Sequence, residues 1–379
     1  MMTKKLGVNY ASFANILISF KIMDWFKGVL KSPKYILAPM VDQSELAWRV
    51  MARRYGAHLC YTPMINARLF VENPAYRKEH LPDETFDRPL IVQFCANDAE
   101  MFLAAARLVQ DKCDGVDLNL GCPQDIARRG HYGSYLQDEW DLISKMISIV
   151  AKGISVPITA KIRIFPSVEK SVKYAQMIES AGASLLTVHG RIREQRGHAT
   201  GLADWAQIKA IKEALSIPVI ANGNILYFED IEKCISETGC DGVMCAETQL
   251  YNPALFSGKF IPARDLALEY LDICEETLVP SSSILRSHLF KIFKHLLPHH
   301  TDLRESLATA PDLLSMREIS KSLGERLTRE DKEDEFPPYN FSEFKRIPLQ
   351  MAQPYIRPLP DLSKMPKKRK LLQDMAWAN

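Results

Sequence analysis

No stretch of the 379-residue chain reaches the roughly 18 to 20 consecutive apolar residues that a membrane-spanning helix needs. The best run, Tyr10 to Phe20, is stopped by Lys21, so no membrane association is expected. Net charge is nearly absent. With 48 Lys and Arg against 46 Asp and Glu the balance is +2, so no global field calls for a polyanion, and a nucleic-acid surface has to be local. Paired cysteines are missing too. The eight present are irregularly spaced, and the tightest group, Cys234, Cys240 and Cys245, lacks the short paired spacing of a zinc site, so no metal is predicted. Eight scattered thiols read as reduced and cytosolic rather than as a disulfide framework. The first 34 residues hold six Lys, one acid and no Arg, which favours a lysine-bearing N-terminal helix over an arginine-rich presequence. At 47% hydrophobic and 25% charged the composition is ordinary for a globular protein and excludes wholesale disorder.

What is present is alternation. Eight short apolar runs recur between Ile36 and Cys245: Ile36-Leu-Ala-Pro, His58-Leu-Cys-Tyr, Leu90-Ile-Val-Gln-Phe, Gly115-Val-Asp-Leu-Asn, Pro157-Ile-Thr-Ala-Lys, Leu185-Leu-Thr-Val-His, Pro218-Val-Ile-Ala-Asn and Gly242-Val-Met-Cys. Each is bounded by Gly, Pro or polar residues, as buried parallel strands are. Between them lie helical patterns at 44–55 (with Ser44 as N-cap), 99–111, 140–152, 168–181, 205–215 and 228–238, with Gly56, Gly153, Gly182 and Gly239 placed as left-handed C-caps. Strand and helix alternating in this way predict an α/β fold, a (β/α)8 TIM barrel over residues 35–262. The rival doubly wound sheet wants a G-x-G-x-x-G after its first strand, and none is there.

Beyond Pro262 the period changes. Leu285, Leu289, Ile292, Phe293 and Leu296 form one face of a helix, and 265–274 and 312–327 also read as helices, giving a C-terminal helical domain at 263–330. Residues 1–34 read as an N-terminal extension and 331–379 as a Pro-rich, basic tail, extended or disordered. Its segment Pro366-Lys-Lys-Arg-Lys370 fits a nuclear-import signal or an RNA-binding tail, so a cytoplasmic or nuclear location is expected.

Barrels carry their chemistry at the C-terminal ends of the strands. Those ends supply Pro39, Met40 and Val41 after the first strand, Gln93 in the third, and Asn119-Leu-Gly-Cys122-Pro123 after the fourth. Lys161-Ile-Arg163, His189-Gly-Arg191, Asn222-Gly223-Asn224 and Ala246-Glu247 end the remaining four. Singly these are weak: a lone Lys can be a salt-bridged core residue, a lone Cys a small hydrophobe, a lone Gly a tight turn. Together they are complementary. Lys161 and His189 suit an anionic ring, Gln93 and Asn222 amide-like edges, and the backbone near Gly223 and Ala246 a phosphate.

These motifs resemble the flavin-dependent tRNA-dihydrouridine synthases. The resemblance covers residues 35–300, and its set of Asn-x-Gly-Cys-Pro, Lys-x-Arg and His-Gly-Arg is specific. Val41-Asp-Gln-Ser-Glu-Leu-Ala-Trp48, Cys95-Ala-Asn-Asp98 and Arg129-Gly-His-Tyr-Gly133 further resemble the eukaryotic branch acting at D-loop positions 16 and 17. The resemblance implies FMN over the barrel mouth and NADPH as reductant. Pro39, Met40, Val41 and Gln93 then line the isoalloxazine, Lys161 sits by its N1/O2 edge, His189 helps hold it, and Asn222, Gly223, Asn224, Ala246 and Glu247 form the phosphate end. Many bacterial relatives have Gly-Arg where this chain has Ala246-Glu247, so Glu247 is expected to turn its carboxylate away, with Arg191 a candidate replacement cation. Hydride goes to uracil C6, and Cys122, as a neutral thiol, is implied as the donor to C5. Asn119 and Arg163 are implied contacts of the uracil carbonyls.

The tRNA is expected on the helical domain, where Arg286, Lys291 and Lys294 read as lying off the apolar stripe, and at the rim through Arg128, Arg129 and His131. A monomer is expected. Two alternatives remain: an FMN-dependent barrel dehydrogenase of a small molecule, of the dihydroorotate-oxidase kind, and a non-catalytic tRNA-binding protein. The helical domain and Arg163 speak against the first, and the intact Cys122, Lys161 and His189 against the second.

Overall fold

The computed structural model describes residues 21–82, 86–329 and 347–356. Nine strands run in parallel: β1 (Tyr35–Leu37), β2 (Leu59–Tyr61), β3 (Ile65–Asn66), β4 (Leu90–Cys95), β5 (Gly115–Leu120), β6 (Ile158–Arg163), β7 (Leu186–His189), β8 (Val219–Asn222) and β9 (Gly242–Cys245). Hydrogen bonding follows chain order, and the pairings of β1 with β9 and of β2 with β4 close the ring. β3 is a two-residue continuation of β2 along β4, so the sheet is a closed eight-stranded barrel with its second strand interrupted. All eight predicted runs are barrel strands, and each is buried because helices cover it outside and neighbours fill it inside.

The predicted barrel helices form within two residues of their expected ends, Leu46–Arg54, Ala99–Val109, Trp140–Gly153, Val168–Ser180, Trp205–Ala214 and Glu229–Thr238 among them. Two local expectations are corrected. Ser44 does not cap the first helix: Glu45 occupies that position, and the Ser44 hydroxyl instead accepts from the Met40 amide at 3.0 Å, closing the turn that leaves β1. Gly153 does not adopt the left-handed conformation that Gly56, Gly182 and Gly239 do. It ends its helix packed against Leu103, whose methyl group an added Cβ would have to displace.

The N-terminal boundary also moves. Trp25, Phe26 and Leu30 are buried in one cluster with Ile36, Leu59, Ile91, Leu185, Ile220 and Met244, and the Trp25 indole donates to the Asp114 carbonyl at 2.7 Å. Residues 21–30 therefore close the bottom of the barrel, with residues 1–20, including the Tyr10–Phe20 run, outside the described residues.

The helical domain comprises Ala263–Glu276, Ser282–Ile292, Thr301–Thr309 and Leu313–Arg329; the third of these lacked a sequence signal. The stripe Leu285, Leu289, Ile292, Phe293 and Leu296 is buried. Within the Pro-rich tail, residues 347–356 return to the domain junction, with Ala352 and Ala263 amides donating to the Ile261 and Gln350 carbonyls at 2.9 and 2.8 Å. The Pro366–Lys370 segment lies outside the described residues. No described helix is long and apolar enough to cross a membrane.

The helical domain is seated on the segment after β1. Glu45 accepts from the Tyr270 hydroxyl at 2.7 Å and pairs with His288 at 3.0 Å, while the His288 ring stacks on Trp48 with centroids 3.9 Å apart. The Trp48 indole donates to Gln249, and Gln43 donates to the Ser287 hydroxyl at 3.0 Å. The Val41–Trp48 motif is thus the docking seat of the second domain. Burial pushes the Glu45 carboxyl up, but the His288 charge and the donors around it win and hold it below the usual range.

Candidate active site

The barrel interior changes character along its axis. The lower layers are the apolar cluster around Trp25, and above them the inward side chains are Gln93, Asp117, Thr159, Asn119, Lys161, His189 and Asn222. The sequence-predicted rim residues therefore converge at one mouth.

Lys161 stands out there. It has no hydrogen bond or ion pair among the described residues, and burial and the neighbouring Arg163 lower its pKa to about 8 against the support of Asp117. A buried cation with no hydrogen-bonded counterion among the described residues is costly in an interior, so the site suits an anion. His189 is kept neutral. Burial and the cations Arg163, Lys161 and Arg191 lower its pKa well below the ordinary value, and Arg191 donates to its Nε2 at 3.0 Å. Nε2 is therefore the acceptor and Nδ1 carries the proton.

The Cys122 loop is fixed from several sides. Its amide and that of Gly121 donate to Asn119 Oδ1 at 2.9 and 3.1 Å, and its carbonyl accepts from the Ser134 hydroxyl at 2.9 Å. Gly133, at φ +65°, passes so close that a Cβ would lie 2.8 Å from the Cys122 carbonyl oxygen. Burial raises the thiol pKa, only partly offset by a backbone N–H and by Arg163 and Lys161, so the half-buried sulfur is protonated at neutral pH.

Several of the predicted ligand contacts also bond within the protein itself. Arg163 donates from Nε to the Gly121 carbonyl at 2.9 Å and from Nη1 to those of Ile192 and Gln195 at 2.9 and 3.0 Å, bracing the loops after β5 and β7. Asn119 gives Nδ2 to Gln93 at 2.8 Å, and Gln93 gives Nε2 to Asp117 at 2.8 Å. Asn222 donates to the Met244 carbonyl at 2.8 Å, and Asn224 pairs with both backbone groups of Ala203 at 2.8 and 2.9 Å. Arg191 does reach this end, donating to Asn224 at 2.9 Å and to the Gly201 carbonyl at 2.9 Å. Gly223, at φ +118°, leaves no room for a Cβ, which would lie 2.7 Å from Ala203. Pro39 and Met40 are half-buried beside the opening and Val41 is exposed. Ala246 caps the short helix Glu247–Tyr251, and Glu247 lies within electrostatic reach of Lys291.

Of the RNA candidates, Arg128 and Arg129 are exposed on the rim, and exposed His131 pairs with Glu139 at 2.8 Å. The helical-domain set divides. Lys294 is exposed, 4.8 Å from the Tyr355 ring. Lys291, expected to point outward, points at the barrel: its ammonium donates to Gln43 Oε1 at 2.7 Å and Ser287 Oγ at 2.8 Å, and burial lowers its pKa. Arg286 donates to the Ala310 carbonyl at 2.6 Å, tying down the end of a neighbouring helix. The sequence reading missed Asp117, Thr159, Arg193 and Arg196. Arg196 braces the Pro123 carbonyl at 2.7 Å, and the Arg density of Arg191-Ile-Arg193-Glu-Gln-Arg196 was its available signal.

A family model described as dihydrouridine synthase matches residues 36–334. The chain is 51% identical over 342 residues, 89% of its length and 71% of the relative's, to a Mus musculus protein named tRNA-dihydrouridine(16/17) synthase, NAD(P)(+)-like. A Saccharomyces cerevisiae tRNA-dihydrouridine(16/17) synthase is 54% identical over 293 residues, covering 73% of this chain and 69% of that one. A Schizosaccharomyces pombe protein of the same name is 46% identical over 360 residues, covering 88% and 90%.

Proposed function

Because the chain belongs to the dihydrouridine synthase family, we propose that it reduces the C5–C6 double bond of uridines 16 and 17 in the D loop of tRNA, with FMN as resident carrier and NADPH as reductant. The observation that carries this reading is one barrel mouth holding both a buried cation, Lys161, with no hydrogen bond or ion pair among the described residues, and a protonated thiol, Cys122. The positions follow the names of the three relatives, and NADPH is the choice among the NAD(P) that those names print.

The residues present fit FMN. Lys161 awaits an anionic partner, Nδ1 of the neutral His189 is a donor, and Gly223 keeps the backbone open where any side chain would fill the space. When bound, FMN supplies the hydride that goes to uracil C6. The chain's own part is to hold charge and proton in place. Lys161 would hold the electron-rich part of the group, where its field would favour negative charge. Cys122 keeps its proton until charge develops on the uracil and then gives it to C5. Asn119 and Arg163 fix the loop that carries Cys122, through bonds to Gln93 and to the Gly121, Ile192 and Gln195 carbonyls, and the Arg163 Nη2 group is left for a uracil carbonyl.

Stopped-flow flavin reoxidation with tRNA tests the assignment. Cys122→Ala is expected to retain FMN and its reduction by NADPH, and to lose about 10²- to 10⁴-fold in the tRNA-dependent step. Cys122→Ser does not restore it, because a hydroxyl is a much weaker acid. Wild-type reoxidation in Cys122→Ala removes the thiol from the chemistry. Transcripts with cytidine at 16 and 17 are expected to be inert, and full turnover on them overturns the positional reading.

A further inference from the structure

Beneath Cys122 the barrel holds a row of hydrogen bonds that runs in one direction. Its lower end is Asp117, a buried carboxylate, which accepts from the Thr159 hydroxyl at 2.6 Å and from Gln93 Nε2 at 2.8 Å. A carboxylate only accepts, so the NH2 of Gln93 has to point at it and the Gln93 oxygen toward the mouth. That oxygen accepts from Asn119 Nδ2 at 2.8 Å, which turns Asn119 Oδ1 upward to the amides of Gly121 and Cys122 at 3.1 and 2.9 Å. Asp117, Thr159 and Gln93 are fully buried and Asn119 is 8% exposed, so no bulk water is present to exchange for any of these bonds. The two ends of a side-chain amide have nearly the same shape. The two loop N–H groups, which only donate, already call for an oxygen at the top of the row, and the charge at the bottom makes Gln93 and then Asn119 present that end with every bond made.

We infer that Asp117 is a positioning residue for the reaction: through Gln93 and Asn119 it sets the polarity that anchors the backbone of Gly121 and Cys122, and so places the thiol. The inference rests on the reading of Cys122 as proton donor. It also accounts for a buried carboxylate with no ion pair within hydrogen-bonding distance, in a layer where a threonine or glutamine would be less costly.

The row can be reversed by moving the charge from its bottom to its top. Asn119→Asp alone puts carboxylates at both ends of a single amide, and Gln93 can satisfy only one of them. The double change Asp117→Asn with Asn119→Asp restores every bond in the opposite sense. The carboxylate now at the top accepts from both loop amides and from Gln93. The Gln93 oxygen accepts from the amide now at the bottom, and the oxygen of that amide accepts from Thr159. We expect Asn119→Asp to slow tRNA-dependent flavin reoxidation about 10- to 100-fold, as a misplaced reacting group does. The double variant is expected to recover at least tenfold of that loss, and to recover melting temperature with it. In a Gln93→Leu background the rescue should vanish, because the two positions then have nothing between them. Equal rates and melting temperatures in the single and double variants overturn the inference. Rescue of melting temperature without rescue of rate makes the row a packing device and overturns the positioning role. Cys122→Ala, measured alongside, separates the two readings: if it reoxidises like wild type, the proton-donor assignment has failed, whatever the cycle shows.

Discussion

The two ends of the barrel are made of the same eight strands and are opposite in kind. At the bottom, Trp25, Phe26 and Leu30 fill the opening, and the one polar atom they bring, the Trp25 indole N–H, has its acceptor. At the top, a lysine sits with no hydrogen bond or ion pair among the described residues, a histidine is held neutral among cations, and a thiol keeps its proton. The closed end is packed with apolar side chains, while the open end keeps ionisable groups whose charged forms burial disfavours. That division is what a barrel enzyme needs, since strand ends on one face can vary in chemistry while the other face holds them in register.

The sharpest way to break the comparison is at the bottom. Trp25→Ala removes a large side chain, 7% exposed, and leaves the Asp114 carbonyl without its donor. A loss of about 3–5 kcal/mol in unfolding free energy is expected. The reductive and oxidative rates of the protein that remains folded should be close to wild type. A rate loss as large as the stability loss would show that the two ends are not separable.

The next effect is smaller and has two signs. Lys161 has its pKa lowered from 10.5 to about 8 in the folded chain. Its burial penalty is therefore fully present below about pH 8, where the lysine is charged folded and unfolded, and disappears as pH rises toward 10.5. Lys161→Met should raise the melting temperature of the flavin-free protein at pH 7 and abolish that part of its stabilisation between pH 8 and 10.5. The same change should weaken FMN retention roughly 10- to 100-fold, the worth of a charge-assisted hydrogen bond. In the wild type, FMN affinity should begin to fall above about pH 8, as the cation is lost. A Lys161→Met protein that is less stable and still holds FMN would make Lys161 a core residue.

How much of this was legible depends on where each signal lies. The strands were, because short apolar runs bounded by Gly and Pro recur eight times, and strand ends then pointed directly to Cys122, Lys161 and His189. Asp117 was not, because it lies two residues inside β5 and its role exists only through the neighbouring strands that supply Gln93 and Thr159. The plug at 21–30 was hidden by brevity: three apolar side chains have no period until a barrel gives them somewhere to go. Residues 347–356 were hidden by composition, since Pro-rich sequence reads the same whether it is extended in solvent or extended along another chain segment.

Lys291 and Lys294 repeat the contrast within one short stretch, and they carry the smallest of the expected effects. Helical periodicity sets both off the apolar stripe, but Ser282–Ile292 is packed on two sides, against its own domain and against the segment after β1. Lys291 is spent on the second of these, held by Gln43 and Ser287, whereas Lys294 is exposed beside the Tyr355 ring. A phosphate contact releases counterions, so Lys294→Ala should lower the slope of log affinity for tRNA against log salt by about 0.7–0.9 and weaken binding by no more than a few-fold. Lys291→Ala should leave the slope unchanged and instead lower the melting temperature, because it removes a contact between the two domains. The reverse pattern, a slope change at Lys291 and none at Lys294, would mean that RNA enters between the helical domain and the barrel rather than across the outer face.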